Sequence, residues 1–283
     1  MVLAILFALC GAASNGFGTV LQRRAARAAP DRERFRPALM LDLLRRRTWL
    51  LGIGTAIGGF VFQAAALSVG ELSLVQPLFA AELPLTLVIM RLFFHSRPGR
   101  RAWIGGLGMA IGLATLLIAL APHAGNQHVP PVAWIVALSV IAALILGLVL
   151  AGRSPGATGA AVLGAAAGIG FGTTAAVMKV VMGQLRVSIV GMLASWQVYT
   201  MIAAGILSFF LLQNALQSGS LVATQPAVTL SDPIVSVVLG VVLFHDQVRF
   251  VFWLIPEIIG LALILAGSIE LSRSPVLTSR TST

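Results

Sequence analysis

Apolar residues run along this chain in long blocks, without the period-two alternation of a half-buried strand or the single apolar stripe of a soluble amphipathic helix. Nine such blocks can be drawn, at about 2–22, 48–70, 72–94, 102–121, 132–151, 158–179, 188–212, 219–243 and 251–271. Each is roughly 20 residues long, the length an α-helix needs to cross the hydrocarbon of a bilayer. A membrane β-barrel would show short alternating segments instead. The pattern predicts an all-α integral membrane protein of about nine transmembrane helices.

Polar residues interrupt two of these blocks in the same way. Gln76-Pro77 is followed by Glu82-Leu83-Pro84, and Gln225-Pro226 is followed by Ser231-Asp232-Pro233. Proline removes a hydrogen bond from a helix and a carboxylate at the centre of a span costs roughly 2.5 to 3.5 kcal/mol to insert, so both together, twice, mark a built site. Three further phrases recur in the same order. Gly16-Phe17-Gly18-Thr19 returns as Gly170-Phe171-Gly172-Thr173, Ala66-Leu67 with Gly70 as Ala215-Leu216 with Gly219, and Ile111-Gly112-Leu113-Ala114 as Ile259-Gly260-Leu261-Ala262. The four matches lie at offsets of 148 to 154 residues, the mark of an internal repeat.

Corresponding spans stand five apart, an odd number, so the two copies would cross the membrane in opposite directions, as in secondary transporters built from inverted repeats. The expected organisation is a first repeat of four spans over 1–121, a linking fifth span over 122–157, a second repeat of four spans over 158–272 and a tail over 273–283.

Composition sharpens this. The 283 residues are 58% hydrophobic and 10% charged, with a mean hydropathy of +0.97, outside the range of soluble domains. The net charge of +10 lies almost wholly in arginines between the spans, where it reads as a topology signal and gives no case for nucleic acid. The loop after the first span holds Arg23, Arg24, Arg27, Arg32, Arg34, Arg36, Arg45, Arg46 and Arg47 against Asp31, Glu33 and Asp42. The positive-inside rule makes that loop cytoplasmic, with the N-terminus outside and the C-terminus in the cytoplasm. The same orientation puts Arg97, Arg100, Arg101, Arg153, Arg273 and Arg280 inside, and leaves Lys179, Arg186 and Arg249 outside. Trp49, Trp103, Trp134 and Trp253 fall near span ends, as interfacial aromatics do. Residues 35–44 carry apolar side chains at helical spacing beside arginines, which allows a short interfacial helix or a solvated loop. Cys10 is the sole cysteine, so neither a disulfide nor a cysteine metal site is expected.

The order of spans, the paired Gln-Pro segments after an Ala-Leu-x-x-Gly turn and the closing Gly-Leu-Ala helix resemble the drug/metabolite transporter superfamily. The resemblance implies two inverted halves and solute transport by alternating access. EamA-type members often carry a Gly-Glu pair after the third helix of each repeat; this chain has His95-Ser96 and His245-Asp246 there. The arginine-rich first loop, Trp49 to Gly52 opening span two and Val75 to Leu78 are similar to NIPA-type magnesium transporters.

Glu82 and Asp232, near the middle of spans three and eight, are the candidate solute- and proton-binding carboxyls; the alternative is that each caps backbone freed by the neighbouring proline. Gln76 and Gln225 both donate and accept hydrogen bonds, and either face a solute or satisfy the backbone opened by Pro77, Pro84, Pro226 and Pro233. Trp196, Tyr199 and Thr200 share a face of span seven, which suits an amphipathic solute or a helix contact. Glu257 and Lys179 can form an ion pair or remain separate interfacial charges. Gly54 with Gly58, Gly108 with Gly112, and Gly164, Gly168 and Gly172 have the small-xxx-small spacing of close helix packing. His123 and His128 lack a third ligand for a metal.

No nucleophile with its base, phosphate loop or cofactor fingerprint appears, so neither an enzyme nor a cofactor is expected. The leading expectation is a proton-linked or facilitative secondary transporter of the cytoplasmic membrane for a small metabolite or drug-like solute, with Glu82 and Asp232 as the coupling carboxyls if protons drive it. The alternatives are a divalent cation transporter, with the same carboxyls as oxygen ligands, and a non-transporting membrane scaffold. Expected partners are the lipid bilayer, a solute, protons and, as an option, a second copy of the chain.

Overall fold

The computed structural model describes residues 1–27, 47–95, 98–120, 129–152, 156–218, 221–246 and 254–272. Residues 28–46 of the arginine-rich loop, with the interfacial segment 35–44, and His123, His128, Arg249 and the C-terminal tail lie outside the described residues. All secondary structure among the described residues is helical: α1 Val2–Arg27, α2 Arg47–Val69, α3 Leu72–Phe79, α4 Glu82–Leu92, α5 Arg100–Leu120, α6 Pro131–Ala151, α7 Ala157–Leu185, α8 Ile189–Leu193, α9 Trp196–Ser218, α10 Leu221–Phe244 and α11 Leu254–Ser272. Helices are the form in which a chain this apolar satisfies its backbone without water.

Among the described residues seven of them, α1, α2, α5, α6, α7, α9 and α10, are long and apolar enough to cross a membrane, and α3 with α4, bent by 40°, makes either an eighth, broken span or a re-entrant loop. The remaining apolar block, 251–271, corresponds to α11, which packs along α5. Two blocks break where sequence periodicity runs straight through. The third parts at Ala80-Ala81, and the seventh begins as the single turn α8, capped by the Ser188 hydroxyl accepting from Gly191 N at 3.1 Å, before turning into α9. The repeat is not copied in this respect. Pro77 and Pro84 flank a break in the first copy, whereas α10 carries both Pro226 and Pro233 within one helix.

α7 is the centre of the bundle, 72% buried along its apolar span against 6% for α6, which lies at the edge mainly against α7, with Trp134 reaching Trp196 and Phe244. α1 packs on α2, α7 on both α9 and α10, and α5 on α11. The last pair meets backbone to backbone: a Cβ on Gly105 would stand 2.8 Å from the Gly267 carbonyl oxygen, and one on Gly112 would stand 2.6 Å from that of Gly260. The crossed order of these contacts makes the two helices antiparallel. Gly164, Gly168 and Gly172 form a groove on α7 into which α10 settles from Thr224 to Ser236. Gly54 and Gly58, which share the same spacing, face open space; spacing places residues on one face of a helix but cannot say which face has a neighbour.

Gly112→Ala therefore forces α5 and α11 apart and should cost about 1–3 kcal/mol, as overpacking does. Gly54→Ala meets nothing and gains helix propensity. Thermal unfolding of the two variants in detergent should separate them, the first melting lower than the parent and the second at or above it.

Candidate functional site

Glu82 owes its position to the break in the third block. Ala80 N bonds Pro77 O and Ala81 N bonds Leu78 O, both at 3.0 Å, and this tightened turn ends α3 so that Glu82 opens α4. Pro84 falls in the first turn of α4, where a missing N–H costs no hydrogen bond. The Glu82 carboxyl points at α1: Thr19 Oγ1 donates to Oε1 at 3.5 Å, and the Asn15 side chain bonds the same group. A Cβ on Gly16 would lie 3.3 Å from the Glu82 carbonyl, so the glycine is what lets α1 come this close.

Asp232 is seated in the same manner in the second half. Its Oδ1 accepts from Ser236 Oγ at 3.3 Å, and its backbone presses on α7, where a Cβ on Gly172 would stand 2.8 Å from the Asp232 carbonyl oxygen. Ser231 Oγ donates to the Ala227 carbonyl at 2.7 Å. Each Gly-Phe-Gly-Thr phrase divides its glycines between two neighbours, but in opposite order. Gly16 faces the Glu82 helix and Gly18 faces α2, whereas Gly170 faces Ser208 on α9 and Gly172 faces Asp232. Glu82 and Asp232 thus each pack on the first helix of their own half.

Gln76 is 2% exposed, and its Nε2 has no hydrogen-bond partner among the described residues. Its neighbour Pro77 is buried inside α3, while Gln225 is half-buried on α10 beside the buried Pro226. Trp196 stacks edge-on against Trp134, with centroids 5.9 Å apart. Tyr199 is 63% exposed and donates its hydroxyl to the Leu193 carbonyl at 3.0 Å, and Thr200 bonds the Trp196 carbonyl. Tyr199 therefore stands on the outer face of the bundle, away from Trp134.

The densest polar cluster among the described residues was only partly legible. Lys179 Nζ, on a side chain 4% exposed, lies 2.8 Å from Glu71 Oε2 and 3.7 Å from Asp246 Oδ1. It also sits 4.9 Å from the centroid of the Phe244 ring. Asp246 Oδ2 accepts from Ser73 Oγ at 2.8 Å and from Ser73 N at 3.3 Å. His245, at φ 54°, turns the chain at the end of α10 so that Asp246 N bonds the Gly240 carbonyl and its carboxyl folds back inward. Lys179 takes these partners and not Glu257. The cluster ties the start of α3 to the ends of α7 and α10 across 108 and 173 residues of sequence. The one lysine among 19 basic residues, placed inside an apolar block, was the available signal; the partners are fixed only by the packing of distant helices.

Beside the cluster is a cavity of about 540 Å³, with Lys179 and Phe244 in its wall together with Trp134, Gln184 and Gln197. It lies at the end of the bundle where Gly70 packs on Ala4 and Arg186 bonds Ser68. At the opposite end Arg101 meets Glu270 at 3.8 Å.

A bundle of apolar helices with buried charges at its helix junctions defines a polytopic helical membrane protein. The chain is 30% identical, over 278 residues and 96% of both sequences, to the uncharacterized protein Cgl0250/cg0304 of Corynebacterium glutamicum, and it belongs to the family of that protein. No family model matches the chain, and no solved structure matches it.

Removing one partner of a buried ion pair strands the other's charge. Lys179→Met, which leaves Glu71 and Asp246 facing each other, should cost roughly 3–5 kcal/mol. Asp246→Asn keeps the shape and leaves Lys179 on Glu71, so its loss should be clearly smaller. Equal losses in thermal unfolding would show that the lysine is not the hub.

Proposed function

We propose that this protein is a secondary transporter of the drug/metabolite transporter type. It carries a small organic solute across the cytoplasmic membrane by alternating access, and proton movement through Glu82 and Asp232 drives it. The observation that carries the reading is the paired seating of these carboxyls. Each lies beside prolines within an apolar span, and each is bedded by a glycine contact against the first helix of its own half. Carboxyls at such depth serve ion and solute pathways, and discontinuous helices are the usual carriers of transporter sites.

Nine spans in two inverted halves around a linking span are part of the proposal. In its favour, α1 runs beside α2 and α4 as α7 runs beside α9 and α10. The fourth helices of the two halves, α5 and α11, meet antiparallel through Gly112 and Gly260, the very residues that the repeat equates. Both Gln-Pro spans end in a histidine with left-handed backbone, His95 at φ 50° and His245 at φ 54°, a conformation uncommon outside glycine. The arginine distribution favours an outer N-terminus and a cytoplasmic C-terminus, which sets the Lys179 cluster on the outer side.

The test is a solute screen in proteoliposomes with and without a pH gradient. Glu82→Gln and Asp232→Asn should each lower gradient-driven uptake at least tenfold while solute exchange without a gradient persists. Full gradient-driven uptake in both variants would sink proton coupling through these groups, and the absence of flux for every solute and ion would sink the transporter reading.

A further inference from the structure

The Lys179 cluster has the parts of a site for an alkylammonium ion, and the lysine side chain is the ammonium now in it. Two carboxylates, Glu71 and Asp246, share a single cation. Glu71 holds it at 2.8 Å, while Asp246 Oδ1 faces it at 3.7 Å and accepts no hydrogen bond among the described residues, although the Asp246 side chain is fully buried. The Phe244 ring supplies a π face 4.9 Å from Nζ, the arrangement by which aromatic residues hold cations. Asp246 is fixed from behind by both Ser73 donors, so its free oxygen is aimed and does not wander.

Space for a second occupant adjoins this cluster. The cavity of about 540 Å³ has Lys179 and Phe244 in its wall and falls within the usual range of small-molecule pockets. Trp134, which packs edge-on against both Phe244 and Trp196, and Val180 and Val187 give it an apolar lining. Gln184, also in the wall, carries an Oε1 that is buried without a hydrogen-bond partner among the described residues. Among the described residues two acceptors thus lack donors: Gln184 Oε1 in the cavity wall, and Asp246 Oδ1 buried behind Lys179, which itself stands in that wall.

We propose that this cavity binds a primary ammonium on an apolar body, and that the ligand's ammonium competes with Lys179 for Asp246 and Glu71. Charge decides the class. An entering carboxylate would add a third negative group beside one lysine, whereas an ammonium makes two cations face two carboxylates. Three N–H donors on an ammonium also answer the free acceptors, which a carboxylate cannot. Lys179 now bridges α3 to α7 and α10, so a ligand that takes over one carboxylate loosens the tie between the start of α3 and the ends of those helices. The site deepens the transporter reading and rests on it for the solute's onward movement, but binding itself requires no flux.

The probe is 2-phenylethylammonium, titrated calorimetrically and by tryptophan fluorescence into the full chain in lipid nanodiscs. Its neutral analogue 2-phenylethanol and its acidic analogue 3-phenylpropionate serve as comparisons. The ammonium should bind saturably and at least tenfold more tightly than either. Asp246→Asn, which retains the acceptor for Ser73, should weaken it at least tenfold. Lys179→Ala removes the tethered competitor and should strengthen it at least tenfold, and butylammonium should raise the melting temperature of that variant more than that of the parent. If Lys179→Ala does not fold, the Asp246→Asn comparison decides alone. Equal binding of the alcohol or the acid, or undiminished binding in Asp246→Asn, would overturn the proposal. So would displacement of the ammonium by magnesium ion alone at lower concentration, which would make the cluster a divalent-cation site. Binding without any flux would keep the site and count against the transporter reading; flux of ammonium solutes without binding here would do the reverse.

Discussion

The bundle depends on helix backbones approaching to within a Cβ of one another. Lipid offers no hydrophobic drive for one apolar helix to leave it for another, so association rests on close packing and on polar contacts between helices. Gly16 opens α1 to the Glu82 helix, Gly168 and Gly172 open α7 to Asp232, and Gly112 and Gly260 open α5 and α11 to each other. The two acidic residues at mid-span depth are therefore not ornaments on an apolar scaffold. The glycines that hold the bundle together are the same ones that bring each carboxyl against its hydroxyl donor's helix or its backbone partner.

A second constraint closes one end. A lysine buried at 4% exposure can remain charged only with partners close by. Glu71 and Asp246 supply them from α3 and from the end of α10, with Ser73 orienting Asp246. Such a cluster is a poor source of net stability, since desolvating three charged groups costs nearly what their attraction returns. Its physical consequence is specificity of position: this arrangement brings the three charges together, with Asp246 Oδ1 facing Lys179 but accepting no hydrogen bond among the described residues, and a bound cation would provide another. Among the described residues, the opposite end shows the long contact of Arg101, itself 83% exposed, with Glu270, which adds little. The Lys179 cluster thus straps the start of α3 to the ends of α7 and α10.

Much of this was legible in the residues themselves. Block length located the long apolar helices, though α9 begins at Trp196 and ends at Ser218, later than its block, and the Gln-Pro phrases singled out Glu82 and Asp232 because proline and carboxylate are both costly in hydrocarbon. Periodicity could not reveal the break at Ala80-Ala81, since alanine continues a helix as readily as it ends one, nor why α10 remains whole with two prolines. Shared glycine spacing misled at Gly54 and Gly58, which meet no neighbour. Identical sequence likewise concealed the exchanged roles of the glycines in the two Gly-Phe-Gly-Thr phrases. Tyr199, the chain's one tyrosine, lies on the outer face and spends its hydroxyl on its own backbone. The pairing of Lys179 with Glu71 and Asp246 was beyond reach, because contacts across 108 and 173 residues follow from how helices pack and leave no trace in local pattern.

The central claim is that the two ends of the bundle open in alternation, with the Lys179 cluster as the tie at one of them. The most direct test is a pulsed spin–spin distance measurement between labels at Val69 and Val187, both exposed near that end, in a Cys10→Ser background that removes the exposed native thiol. In lipid nanodiscs the expected result is two distance populations, the longer one growing when Asp246 is replaced by asparagine. A single distance, unchanged by that substitution, would contradict alternating access at this end of the protein.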